Sequence, residues 1–75
     1  MRTQAEVEFL LRRLYADLGR DPADLLQIKP LDGGGWHDAL SYEVTRRDGK
    51  RTTVRRKDLD DNNEQNVKMA LTRFS

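Results

Sequence analysis

Residues 44–57 read Val44-Thr45-Arg46-Arg47-Asp48-Gly49-Lys50-Arg51-Thr52-Thr53-Val54-Arg55-Arg56-Lys57, and this stretch decides the fold. Asp48-Gly49 between two runs that contain β-branched residues is a strong signal for a β-hairpin. Residues 45–57 carry seven Lys and Arg side chains and one acid, whereas the whole chain has a formal net charge of only +1. The positive charge is therefore concentrated in the hairpin, and it predicts a surface for an anionic partner.

The register of the hairpin follows from its apolar residues. Leu40, Tyr42 and Val44 alternate with polar residues, which defines an inner face. A two-residue loop would put Val54 on the opposite face, whereas a three-residue loop over 47–49, with Gly49 left-handed, pairs Tyr42 with Val54. We predict the three-residue loop. Its outer face then carries Ser41, Glu43, Thr45, Arg51, Thr53, Arg55 and Lys57.

Two helices are predicted from end signals and apolar spacing. Thr3 and Glu6 match a capping box, and Gly19 is a natural end signal, so the first helix should cover residues 4–18. Its apolar stripe is Val7, Leu10, Leu11, Leu14 and Leu18. The second helix should cover residues 62–74, with the stripe Val67, Ala70, Leu71 and Phe74.

The segment between the first helix and the hairpin completes the sheet. Asp21-Pro22 predicts a helical turn that ends near Leu26, and residues 27–31 predict an edge strand because Pro30 cannot donate to a ladder. The order α-β-β-β-α predicts a single α+β domain over residues 1–75: a three-stranded antiparallel sheet with two helices packed on one face. The predicted core is Leu10, Leu11, Leu14, Leu18, Ile28, Leu40, Tyr42, Val44, Val54, Val67, Leu71 and Phe74.

Composition narrows the classes of function. The chain has no cysteine and one histidine, so cysteine chemistry and Cys-ligated zinc are excluded. Asp58, Asp60 and Asp61 lack the spacing of a calcium loop, so no metal or cofactor is expected. No apolar run has the length of a membrane span, and no signal-peptide core is present. We expect a cytoplasmic protein without membrane contact, either a monomer or a homodimer.

The first functional hypothesis is a non-enzymatic protein that binds nucleic acid. Arginine forks bind phosphate oxygens in two-point fashion, and no aromatic side chain on the predicted outer face offers stacking, which favours duplex or backbone contact. The predicted contact residues are Arg46, Arg47, Lys50, Arg51, Arg55 and Lys57. An alternative explanation is that cations on an edge strand only prevent aggregation.

The second hypothesis is a small inhibitor or adaptor that docks on an acidic protein surface, for example a phage-encoded anti-host or anti-CRISPR-type protein. Residues 1–44 carry five basic and eight acidic side chains, whereas residues 45–75 carry nine basic and five acidic side chains. Such asymmetry suits oriented docking on a partner. Phe9 and Met69 lie off the apolar stripes of their helices, and with Trp36 they are the candidate interface residues.

The third hypothesis is a ribonuclease that uses His37, the only histidine. The order of elements resembles the double-stranded-RNA-binding domain, although Asp60-Asp61-Asn62-Asn63-Glu64 stands where that family has a lysine cluster. Gly35-Trp36-His37, Asp48-Gly49 and Arg51-Thr52-Thr53-Val54 resemble HicA-type toxins, which are small ribonucleases, although their usual Gly-Ser-His is absent. That resemblance implies His37 as a general acid–base candidate, which suits a side chain that titrates near neutrality.

Overall fold

The computed structural model describes residues 2–75. Its elements in chain order are α1 (Gln4–Asp17), a 3₁₀ turn (Pro22–Asp24), β1 (Leu25–Pro30), β2 (Ser41–Arg46), β3 (Arg51–Arg55), α2 (Arg56–Asp60) and α3 (Glu64–Ala70). The three strands form one antiparallel sheet in the order β1-β2-β3. The predicted α+β class and the α-β-β-β-α order are confirmed, with the last helical region divided in two.

The hairpin register is the predicted one. Tyr42 lies opposite Val54 and Val44 opposite Thr52. The Arg46 N–H donates to the Lys50 carbonyl at 2.8 Å, which closes the three-residue loop. Gly49 within that loop has φ +88, a left-handed conformation that glycine adopts without steric cost. The apolar side chains of β2 and β3 therefore share one face, where α1 and α3 cover them.

The core lies between that face and the helices. Its fully buried members come from every α-helix and every strand: Val7, Leu11 and Leu14 of α1, Leu25 of β1, Tyr42 and Val44 of β2, Val54 of β3, Leu59 of α2 and Val67 of α3, with Leu71 just after it. Leu18 and Phe74 are partly buried against this cluster. The prediction for Leu40 is wrong, because its exposed fraction is 68%. β2 begins at Ser41, so Leu40 lies outside the strand, and Ala39 is buried instead of Leu40.

The predicted helix over residues 62–74 is also wrong in extent. Arg56–Asp60 already forms α2, the chain reverses at Asn62 with φ 55, and α3 ends at Ala70. Asparagine tolerates the left-handed region better than most residues, so it can separate two helices. Because β3 ends at Arg55, Lys57 lies on α2 and not on the sheet.

β1 begins earlier than predicted. It covers Leu25–Pro30 instead of residues 27–31, and a bulge between Leu25 and Gln27 interrupts its pairing with β2. The bulge leaves Leu25 buried and Leu26 61% exposed. Pro30 closes the strand at the edge of the sheet, where no ladder partner needs its missing N–H.

The predicted capping box at the start of α1 is present. The Thr3 hydroxyl accepts from the Glu6 N–H at 3.2 Å, and a Glu6 carboxylate oxygen accepts from the Thr3 N–H at 3.0 Å. The hydrogen bond from the Thr3 backbone lowers the pKa of Glu6. Two N–H groups that the first helical turn cannot pair are satisfied in this way.

Candidate anionic-partner interface along β3

The seven hairpin cations do not form one positive face. Arg46 lies on the inner side of the sheet, where its guanidinium sits 4.9 Å from the ring centre of Phe74. It also forms an ion pair with Asp48. The hydrogen bond from Arg46, joined by one from the Lys50 N–H, holds the pKa of Asp48 below its ordinary value. Arg46 therefore supports the turn and the core more than it serves a partner.

Four further cations have a carboxylate partner. Arg47 lies 4.0 Å from Asp24 and donates to the Ala23 carbonyl at 3.3 Å, which directs it toward the β1 side. The other three pairs lie along β3 and α2: Arg55 with Asp58 at 3.3 Å, Arg56 with Asp60 at 3.9 Å and Lys57 with Asp61 at 3.0 Å. Five of the seven cations are therefore largely balanced by local acids, which a count of basic residues conceals.

A different set of cations remains available beside β3. Within the described residues 2–75, the side chains of Lys50, Arg51 and Arg73 form no ion pair. Arg55 has a partner in Asp58, and we include it because it lies on β3 and lines the same groove as Arg73. We call Lys50, Arg51, Arg55 and Arg73 the β3 cationic edge. Three of these were predicted site residues, and Arg73 was missed.

Arg73 reaches this edge because of the way the chain leaves α3. The N–H groups of Thr72 and Arg73 donate to the carbonyls of Met69 and Ala70, so the chain turns after Ala70. Ser75 then lies beside β3, where it exchanges two backbone hydrogen bonds with Arg51, at 2.9 and 3.0 Å. The sequence predicted a helix up to residue 74, so it did not predict that the chain turns back to β3. The sequence carried no signal for placing Arg73 here.

A shallow groove of about 450 Å³ runs between β3 and α3. It is lined by Thr52, Thr53, Arg55, Asp58, Asn66, Met69, Ala70 and Arg73. Asp58 is the one acid in the groove, and its side chain is only 12% exposed because Arg55 holds it through two hydrogen bonds of 3.3 Å. Asn66 donates to the same carboxylate at 3.4 Å. These contacts fix the direction of the Arg55 guanidinium.

The outer face of the sheet is mixed in character. Lys29 and Glu43 form an ion pair at 3.7 Å, neutral Thr53 lies opposite Glu43, and neutral Thr45 lies opposite Arg51. The cationic character is therefore confined to the β3 side. None of the outward-facing strand positions carries an aromatic ring, so the face offers no stacking platform for exposed bases.

The three candidate interface residues differ in exposure. Phe9 is 72% exposed beside a separate groove of about 400 Å³ between α1 and the start of α3. Met69 is 47% exposed and lines the β3 groove. Trp36, by contrast, stacks on Tyr42 with ring centres 4.2 Å apart, and its indole N–H donates to the Arg2 carbonyl at 3.1 Å. Trp36 is thus half-buried and closes one end of the core.

His37 lies exposed in the loop between β1 and β2. Its carbonyl accepts from Arg56 at 2.8 Å, and its side chain lines neither of the two grooves described above. Among residues 2–75, no group of three His, Asp or Glu side chains is placed to hold a metal ion. No helix within the same residues has the length and apolar composition needed to cross a membrane.

Comparison with protein-family models, with curated proteins and with solved structures gives no match to this chain. What the protein does must therefore be inferred from its own surface. The most specific feature of that surface is the β3 cationic edge with the groove beside it.

Proposed function

We propose that this chain is a non-enzymatic binding protein that docks an acidic protein partner through the β3 cationic edge. The observation that carries the proposal is that Lys50, Arg51 and Arg73 have no carboxylate partner. Arg73 lines the groove beside β3, and Ser75, two residues later, pairs with the Arg51 backbone. Cations that are not neutralised locally gain the most from an incoming anion, because no existing ion pair has to be broken.

The composition of the groove favours a protein partner. Met69 and Ala70 line the groove together with Arg55 and Arg73 and offer apolar contact, which a peptide side chain can use and a phosphate backbone cannot. Of the six contacts that were predicted for nucleic acid, four already have a carboxylate partner: Arg46, Arg47, Arg55 and Lys57. These features support our choice of an acidic protein surface ahead of nucleic acid, the reverse of the order that the sequence suggested.

Nucleic acid remains the second candidate. Arg51 and Arg73 have guanidinium groups without a carboxylate partner, and such groups bind phosphate oxygens well. Each neutralised phosphate contributes about 0.9 to the salt slope on B-DNA, so the four residues of the β3 cationic edge predict a slope no steeper than about −3.6. A protein that used seven hairpin cations would show a slope near −6.

Fluorescence anisotropy tests the proposal. The labelled probes are a glutamate-rich peptide, duplex DNA, duplex RNA and a single strand, each at two salt concentrations. The double variant Arg51→Gln/Arg73→Gln should weaken binding of the peptide about tenfold. The matched control Lys29→Gln/Arg47→Gln loses the same charge on the β1 side and should bind within about twofold of the wild type.

The outcomes separate the three hypotheses. Equal losses in both double variants would mean that only net charge matters, and the β3 cationic edge would be the wrong site. Tighter binding of a duplex than of the peptide, with the slope given above, would establish nucleic acid as the partner. Cleavage of RNA that disappears in His37→Ala would establish the ribonuclease.

A further inference from the structure

The backbone of β3 is only partly paired on its outer side. In an antiparallel ladder, alternate residues direct both backbone groups toward the same neighbour. The Arg46 N–H donates to the Lys50 carbonyl at 2.8 Å, and the Arg56 N–H donates to the Leu40 carbonyl at 3.0 Å, so the even-numbered residues of β3 bond to β2. The N–H and C=O groups of Arg51 and Thr53 therefore point away from the sheet.

The chain itself covers the first of these two positions. Ser75 bonds to Arg51 through both of its backbone groups. If this pairing continued, Arg73 would stand opposite Thr53, but the Arg73 N–H donates instead to the Ala70 carbonyl at 3.1 Å. The turn after α3 thus ends the pairing after one position, and no strand residue stands opposite Thr53. An open edge of this kind accepts an added strand.

We infer that an extended acidic peptide segment of the partner adds to this edge as a fourth strand opposite Thr53. The inference rests on the proposed function and specifies how the acidic partner is held. The Thr53 backbone would supply one donor and one acceptor, Arg51 and Arg55 would face acidic side chains on one side of the added strand, and Met69 would contact its apolar side chains from the groove.

Charge selects this occupant over a second copy of the chain. Pairing β3 with the β3 of another molecule would bring Arg51 and Arg55 of both copies together, and like charges across a strand pair are unfavourable. An acidic strand meets the same cations with the opposite sign. Arg55 is held in place beside this edge, because it donates to Asp58, and Asn66 donates to the same carboxylate.

The experiment compares two peptides of equal length and charge. One alternates Glu with Val and favours an extended strand, and the other alternates Glu with Pro, which lacks the backbone N–H at every second residue and disfavours a sheet ladder. Binding to the full chain is followed by ¹⁵N chemical shifts. The Glu-Val peptide should shift the Thr53 amide and bind about tenfold more tightly than the Glu-Pro peptide.

Two variants isolate the backbone contribution. Thr53→Pro removes the outward N–H, a substitution that an edge strand tolerates, and should reduce affinity for the Glu-Val peptide about tenfold. The control Thr53→Val keeps the N–H and should bind like the wild type. Circular dichroism verifies folding of both variants, and if Thr53→Pro fails to fold, the wild-type shifts at Thr53 alone decide the matter.

The results distinguish strand addition from the proposed function. Equal binding of both peptides, no effect of Thr53→Pro and no shift at Thr53 would overturn strand addition while leaving charge-driven docking intact. If the wild-type chain bound neither peptide at low salt, charge-driven docking would be refuted as well. A dimer of the free protein in sedimentation that the Thr53→Pro variant abolishes would assign the edge to a second copy and overturn the inference.

Discussion

Leu59 on α2 should matter far more to stability than Leu40, which directly precedes β2. Leu59 is 1% exposed and Leu40 is 68% exposed. Burial of Leu59 holds α2 against the core, and α2 presents Asp58 to Arg55 at the candidate site. Replacing Leu59 by alanine should therefore unfold much of the population and disturb the groove, whereas the same change at Leu40 should leave both almost unaffected.

The magnitude follows from burial. A fully buried leucine replaced by alanine typically costs about 2–5 kcal/mol, because a transfer free energy is lost and a cavity remains. A chain of 75 residues without disulfides has a total stability of roughly 3–5 kcal/mol. Leu59→Ala should therefore remove most of the free energy of unfolding. Leu40 retains about a third of its burial, so Leu40→Ala should cost roughly 0.5 kcal/mol.

Urea unfolding followed by Trp36 fluorescence and by far-ultraviolet circular dichroism measures both variants. With a slope of about 1 kcal/mol per molar urea, Leu59→Ala should lower the midpoint by about 2 M or more, and Leu40→Ala by about 0.5 M. Coincidence of the two signals tests whether unfolding is two-state. Equal destabilisation by the two substitutions would refute the assignment of α2 to residues 56–60 and of the β2 start to residue 41.

Three further results are expected. Gly49→Ala should cost about 1–2 kcal/mol in urea unfolding from backbone strain alone, because the added methyl group would meet no atom within 4 Å; an unchanged midpoint would contradict the left-handed turn. Thr3→Ala should cost about 1 kcal/mol through loss of the N-cap, and Thr3→Ser should restore most of it. The folded pKa of Glu6 lies below its ordinary 4.5, so its contribution to stability is present above that pH and is lost as pH falls through the lowered pKa. Glu6→Gln should therefore flatten the acid side of the stability profile, and an unchanged profile would count against the capping box.

Local patterns were sufficient for much of the fold. The capping box at Thr3 and Glu6 and the stripe that follows it give α1, because both depend on neighbours within one or two helical turns. The three-residue loop at Gly49 follows from keeping Tyr42 and Val54 on one face, which is a constraint that a period of two imposes. These features involve residues close together in the chain, so the sequence expresses them directly.

The candidate site was predicted only in part. Arg51, Arg55 and Lys50 were placed correctly beside β3, since strand alternation and the turn fix their positions. The partners that neutralise other cations were not foreseen. Arg47 forms an ion pair with Asp24, which lies 23 positions earlier in the chain. Lys57 lies on α2 instead of on the sheet. A count of charges in one segment cannot register acids that other elements bring to it.

The sequence by itself therefore determined the order of elements, the hairpin register and the concentration of positive charge, because each is set by neighbours along the chain. Only the tertiary structure decided which cations remain unpaired, that Arg73 joins them and that the edge at Thr53 stays open. These depend on where the chain turns after Ala70 and returns to Arg51 through Ser75. The apolar period along the chain shows which face of an element is buried, but which distant residues meet is decided by the packing of the whole domain.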